Sequence, residues 1–212
     1  MGESFDAGQA FIQRVAPALP HGSQEALRRA AGSLWSRRRT LTLVSIASPD
    51  LAALPAHMLR RLESEVDSLT ERHGGMRDRF AARGVVVFFS DASDAVRMAL
   101  QLQRTATALR LRIGVDTAEC LVVAAEVGRE MLVTLVGPGA ERAAGAAANA
   151  TNGSIFVCPA AYALSRYAIE TDTHDCLLAE EFENSQLAQV TITPAPARGS
   201  AHASTFAGLG TL

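Results

Sequence analysis

The side chains best placed for chemistry flank one abrupt change of polarity, His73 to Phe89, HGGMRDRFAARGVVVFF. His73-Gly74-Gly75 reads as a helix end, with glycines free to take positive φ. Gly84 then opens Val85-Val86-Val87-Phe88-Phe89, a β-branched and aromatic run suited to a strand buried on both faces. Arg79 to Arg83 lies between them at a hairpin corner, which would hold its side chains over whatever the sheet carries. Guanidinium groups are donors only and keep their charge, so Arg79 and Arg83 can meet phosphates but cannot coordinate a cation. A second polar cluster, Asp172, Asp175, Glu180, Glu181 and Glu183 around His174, has no helical i, i+4 ligand spacing and reads as an exposed acidic loop. No Ser/His/Asp, Cys/His or P-loop constellation is present.

The elements that would position these groups follow from periodicity. Thr40 to Ala47, TLTLVSIA, alternates and then thickens into an apolar run, as a central strand does. Met58, Leu62, Val66 and Leu69 fall on one face of a helix within Ala52 to Arg72. Ala95, Met98, Ala99, Leu102 and Ala106 repeat that pattern in a second helix. Leu109 to Val127 reads as two strands joined at a turn, Gly153 to Val157 as a strand, Pro159 to Leu164 as a short helix with Pro at its first position, and Ala188 to Thr193 as a last strand. Before the first strand, Phe5, Ile12, Val15 and Ala16 suggest a short amphipathic element ended by Pro17 and Pro20. Ser23 would cap a second helix striped by Ala26, Leu27, Ala30, Ala31 and Leu34 and closed by Trp35.

Composition bounds the rest. The 212 residues, 48% apolar and 20% charged, suit one sizeable domain plus some extra. A formal net charge of −2 and a pI near 6.2 give no footprint for nucleic acid. Arg28, Arg29, Arg37, Arg38 and Arg39 form a local basic segment, read as a solvated helix face and linker. Cys120, Cys158 and Cys176 have no metal spacing and are expected to be reduced thiols, two of them in strands. No apolar run approaches the roughly 18 residues of a membrane span, and Asp6, Gln13 and Arg14 interrupt any signal-peptide pattern in Met1 to Pro20. A cytoplasmic location is expected.

The His73–Phe89 run resembles the HGG-x-x-x-K-F-x-G-D-G-V-M-A-L-F segment of class III adenylate and guanylate cyclases, with His73, Gly74, Gly75, Phe80, Gly84, Val85 and Phe89 matching. The resemblance extends over about Thr40 to Thr193; Ile113, Gly114, Thr117 and Glu119 match the family's L-R-V-G-I-G-I-H-T-G-E-V-V-V-G hairpin. It implies an α+β fold, a ferredoxin-like α/β sandwich with helices on one face of the sheet and added C-terminal elements. It also shows what has changed. The two metal-binding Asp positions fall on Ala47 and Arg83, and Asp50 stands three residues too late. The base-reading positions fall on Leu132 and Arg79. The ribose-orienting Asn becomes Glu141, and the transition-state Arg becomes Gly145. Arg142 is on the wrong side of its helix to substitute, since three residues rotate a side chain by about 60° and shift it by roughly 4.5 Å.

Phosphoryl transfer needs positioned metals and cations. The expectation is therefore a catalytically inactive cyclase-like domain, with no catalytic, cofactor-binding or metal residue. It would act as a regulatory, dimerisation or protein-binding module in bacterial-type signalling. The alternatives are a nucleotide-binding sensor without turnover, with Arg79 and Arg83 on the phosphates, and a divergent cyclase using Asp50 and Asp116. The expected partner is a second copy or another protein, with weak nucleotide binding and no nucleic acid. Residues 1–39 are read as a helical segment and linker, 40–194 as the cyclase-like domain and 195–212 as a disordered tail.

Overall fold

A computed structural model describes Gln13 and residues 35–49, 53–78, 80–81, 84–127, 130–172, 176–181 and 190–194. The helices expected before Trp35, Arg28 and Arg29, His174, Asp175, Glu183 and the tail 195–212 lie outside the described residues.

The first strand, β1, spans Trp35–Ala47. It begins five residues before the expected Thr40, so Trp35, Arg37, Arg38 and Arg39 belong to a strand instead of a helix end, helix face or linker. Strand pairing overrides the local polarity here: each of these residues has a partner in β4 (Arg112–Val127). After β1 come α1 (Ala56–Arg72), β2 (Met76–Asp78), β3 (Val85–Phe89) and α2 (Ala92–Thr105), then β4 and β5 (Glu130–Val136). The chain continues through α3 (Gly139–Asn149), β6 (Ile155–Val157), α4 (Pro159–Asp172), β7 (Cys176–Glu181) and β8 (Val190–Pro194).

Each helix boundary has a local cause. Pro55 precedes α1, and its carbonyl accepts from the Met58 and Leu59 N–H groups. At the other end His73 bonds back to Leu69, and Gly74 takes φ +69°. Asp91 caps α2, its carboxylate accepting from the Ser93 and Asp94 N–H groups at 2.7 and 3.2 Å. A Cβ on Gly75 would overlap the Phe89 ring, so the turn after α1 can lie close against β3 only with glycine there.

The sheet runs β2-β3-β1-β4-β6-β8-β7, with β5 paired to the far half of β4. β1 to β4 and the two intervening helices form the expected ferredoxin-like unit, β1 running antiparallel to β3 and β4. Val44, Ile46, Val87, Phe89, Ile113 and Val115 pack on one face beneath Leu62, Val66 and Leu69 of α1, with α2 and the start of α4. Leu41, Leu43, Val86, Phe88, Cys120 and Val122 pack on the other face with Leu135 of β5 and Ala140 and Ala143 of α3. Helices therefore occupy both faces, contrary to expectation, because α3 has small residues that let it lie flat on the sheet. A Cβ on Gly114 would run into the backbone at Ala143 and Ala147, and one on Gly139 would come within 2.8 Å of Cys120 Sγ.

Two other expectations change. Where two strands joined at a turn were expected within Leu109 to Val127, Arg112–Val127 is one strand that follows a short 3-10 turn ending at Leu109. β4 is continuous because its polar residues find partners on neighbouring elements: Thr117 shares a 2.8 Å hydrogen bond with Thr42 of β1, and Asp116 is bound from α3. Within the acidic stretch, the described residues are Asp172, which ends α4, and Cys176–Glu181, which pairs antiparallel with β8 and so satisfies its backbone in the sheet instead of forming a loop. The last strand lies at Val190–Pro194, and α4 continues well past Leu164. Cys120 and Cys176 are in strands, and Cys120 and Cys158 are free thiols.

Candidate functional site

Ala47 ends β1, with Ile46 opposite Val85 of β3. The hairpin corner thus reaches the end of β1 at Gly84, which takes φ +63° and would place a Cβ 3.0 Å from the Ile46 carbonyl oxygen. The resemblance expects metal carboxylates at Ala47 and at Arg83, the residue before Gly84, and the structure brings Ala47 and Gly84 together. Arg79, Arg83 and Asp50 lie outside the described residues. Leu132 is paired with Ala125 along the β4–β5 ribbon.

Directly across from Ala47 on β4 stands Arg112. Opposed residues of an antiparallel pair share a face, so the guanidinium stem rises beside the methyl group of Ala47. Its Nε is buried with no hydrogen-bond partner. No sequence signal singled this residue out, because a lone Arg in an alternating strand reads as a solvent-facing residue.

α3 supplies the neighbouring groups. Glu141 and Gly145, one turn apart, are both exposed, and a Cβ on Gly145 would meet nothing within 4 Å. Arg142 turns back to the sheet instead. Its Nε donates to Asp116 Oδ2 at 2.8 Å, joining a half-exposed guanidinium to a carboxylate only 6% exposed. This charge-assisted bond occupies the carboxylate that a divergent metal site would recruit. Cys158 lies beside it, and its thiol is pushed up to about 12, first by burial, then by the Asp116 charge and a hydrogen bond to that carboxylate, against the opposing pull of Arg142. Burial likewise raises Cys120, with Arg142 opposing. Both thiols are protonated at neutral pH and are poor nucleophiles or ligands.

A further polar knot lies where β2 meets β5. Asp78, 2% exposed, accepts from the Thr134 hydroxyl at 2.8 and 3.0 Å, from the Leu135 N–H at 3.3 Å and from the Phe80 N–H at 3.0 Å. The last bond makes an Asx turn that starts the hairpin corner. Sequence reasoning passed over Asp78, although an Asp two residues before the Phe of a glycine-closed corner is a turn signal. On the outer side Arg77 is anchored to α1 by Asp67 at 3.1 Å and Glu63 at 3.5 Å. His73 also faces inward, its Nε2 lying 3.2 Å from Gln101 Oε1 of α2. Glu119 makes only an exposed 3.5 Å pair with Arg38, a contact worth little.

The described residues at this end do not fit a divalent cation. Ala47 offers no ligand, Arg112 brings positive charge to the same spot, and Asp116 is already bound. Among the described residues no group of three or more His, Cys, Asp or Glu side chains could hold a metal ion. Also among them, no helix is long and apolar enough to cross a membrane.

No protein-family model and no curated protein sequence matches the chain. Solved structures do. The adenylyl cyclase CyaB from P. aeruginosa is 21% identical, with a TM-score of 0.58, over 77% of this chain and 98% of that one. A non-canonical dimeric guanylyl cyclase domain of the RhoGC fusion protein from the aquatic fungus Blastocladiella emersonii is 13% identical, with a TM-score of 0.58, over 75% and 97% of the two chains. The guanylate cyclase domain of RhGC from Catenaria anguillulae, in complex with GTP, is 16% identical, with a TM-score of 0.54, over 76% and 100%. Together with the β2-β3-β1-β4 order and the hairpin corner set against the end of β1, these likenesses give the chain the fold of a class III adenylyl/guanylyl cyclase domain.

Proposed function

We propose that this chain is a cyclase-fold domain that does not turn over nucleotide and works by binding, as a regulatory, dimerisation or protein-binding module in bacterial-type signalling. One observation carries the reading: at the end of β1, where a metal-binding carboxylate belongs, Ala47 faces the Arg112 guanidinium across the strand pair. Loss of one transition-state donor typically costs ~10²- to 10³-fold in rate, and here a methyl group, a carboxylate and a hydrogen atom replace polar groups at Ala47, Glu141 and Gly145. The test is incubation of the purified chain with ATP or GTP and Mg²⁺ or Mn²⁺. No cyclic nucleotide should form, whereas a metal-dependent product abolished by Asp116→Ala would overturn the reading.

Nucleotide binding without turnover is the second reading, supported by the unpartnered Nε of Arg112 at the same spot. Calorimetric titration with nucleoside triphosphates separates the two, since binding in the absence of metal favours the sensor. Self-association is part of the first reading. Sedimentation at micromolar concentration should give a dimer, and a single species at the 22.4 kDa monomer mass would remove dimerisation from the proposal.

A further inference from the structure

The N-terminal half of β1 is the feature that neither the cyclase-like end nor the core explains. β4 pairs with β1 along its whole length, from Trp35 to Ala47, but β3 pairs with it only from Thr42 to Ile46. Among the described residues, no strand pairs with that side of β1 before Thr42, so its alternate N–H and C=O groups point away from the sheet. Trp35, Arg37, Arg38, Arg39 and Thr40 are exposed along this stretch, Trp35 to 51%.

The pleat sorts these side chains. Trp35, Arg37 and Arg39 share one face, and their partners across the strand pair are Ala124, Val122 and Cys120. None of those partners carries a carboxylate. Arg38 is on the opposite face, where Glu119 pairs with it at 3.5 Å. One face of the open edge is therefore an aromatic ring followed by two cations at successive i+2 positions, about 7 Å apart by the rise of a strand.

We propose that this edge, Trp35 to Leu41, takes an acidic peptide segment of a partner protein as an added β-strand. Main-chain hydrogen bonds to the open side of β1 would supply affinity, and side chains at alternate positions would supply selectivity. Two carboxylates at i and i+2 on the incoming strand match Arg37 and Arg39, while an apolar residue one step further covers Trp35. Charge decides against the other occupants. A second copy pairing edge to edge would set arginines against arginines, which is how edge strands avoid their own kind. The acidic strand of the same chain, β7 with Glu180 and Glu181, is the opposite edge of the sheet. The proposal does not depend on turnover, because Trp35 and Ala47 are separated by roughly 40 Å of extended strand.

Trp35 is the one tryptophan in the sequence, so its fluorescence reports this edge directly. The full chain is titrated with a blocked nine-residue peptide with Thr at the odd positions and Glu, Glu, Val, Val at the even ones, with its counterpart carrying Lys for Glu, and with the acidic peptide N-methylated at alternate amides. The acidic peptide should give a saturable shift of Trp35 emission, and the other two should give none. Arg37→Glu/Arg39→Glu should weaken binding at least about tenfold, with Arg37→Ala/Arg39→Ala intermediate and circular dichroism unchanged. Equal binding by the N-methylated peptide would reduce the contact to nonspecific charge attraction and overturn strand addition. No shift at millimolar peptide, indifference to charge reversal, or a dimer that dissociates on that reversal would each overturn it as well, the last by giving the edge to a second copy.

Discussion

Asp78 holds the hairpin corner to β5, and nothing else in the described structure offers the buried Thr134 hydroxyl an acceptor. Asp78→Ala should therefore destabilise the fold by about 1–3 kcal/mol, with Asp78→Asn costing less because it keeps an acceptor oxygen. The midpoint of urea unfolding at unchanged slope measures both. Cys158 makes a second residue-scale prediction. Its thiol is raised from 9.0 to about 12 in the folded chain, so the folded state keeps a proton that the unfolded state gives up. The stability this contributes is fully present below pH 9.0 and is lost as the pH rises toward about 12, so stability should fall across that window. At pH 8 Cys158 should react with iodoacetamide far more slowly in the native protein than in urea. Fast native alkylation at that site would contradict a partly buried thiol held protonated beside the Asp116 carboxylate. His73, Gly75 and Gly84 were legible in sequence because a glycine marks a backbone need. Asp78 and Arg112 were not, because what matters about them is the strand that comes to lie opposite.

At the scale of elements, α3 is the piece whose position the sequence left open. It lies on the sheet through Gly139, Ala140, Ala143, Ala146 and Ala147, and Gly114 on β4 leaves room for its backbone. Gly114→Ala should push the helix off the strand and cost about 1–3 kcal/mol, as overpacking does. Gly145→Ala, in the middle of α3 and open to solvent, should instead stabilise by roughly 0.5–1 kcal/mol, since an exposed mid-helix glycine gives up that much in backbone entropy. Thermal unfolding of the pair checks both signs, and a stabilising Gly114→Ala would mean that α3 does not lie where the structure puts it. Most other elements could be read from periodicity, α1, α2, β1 and β3 above all. β4 could not be read as one strand, because Asp116 and Thr117 look like turn residues until Arg142 and Thr42 are seen to satisfy them.

For the molecule as a whole, the two faces of the sheet have different work. The face under α1 and α2 is apolar apart from the neutral groups Thr42, Thr117, Thr70 and Gln103, while the buried carboxylates Asp78 and Asp116 lie on the face that packs α3 and Leu135 of β5. Returning the two missing carboxylates with Ala47→Asp and Arg83→Asp should not return turnover, because Arg112 still stands beside position 47 and Glu141 and Gly145 still offer no donor. The new Asp at 47 should pair with Arg112 instead of a cation. Cyclic nucleotide production by that double variant would show that neither α3 nor Arg112 stands in the way.

The sequence by itself determined the succession from β1 through α1 and β3 to α2, the apolar faces of those helices and the character of the His73–Phe89 hairpin, because each rests on residues within a few positions of one another. It also determined that Ala47 and Gly145 carry no ligand or donor group and that Glu141 carries a carboxylate, an acceptor and no donor, since that is a matter of side-chain type. Only the tertiary structure decided what these positions face. Arg112 lies opposite Ala47 because β1 and β4 pair in one register out of many. Arg142 is bound to Asp116 because α3 lies on the sheet face that also contains β5. The start of β1 at Trp35 depended on the same long partner, since a charged run has no reason to be a strand until β4 extends alongside to take its hydrogen bonds.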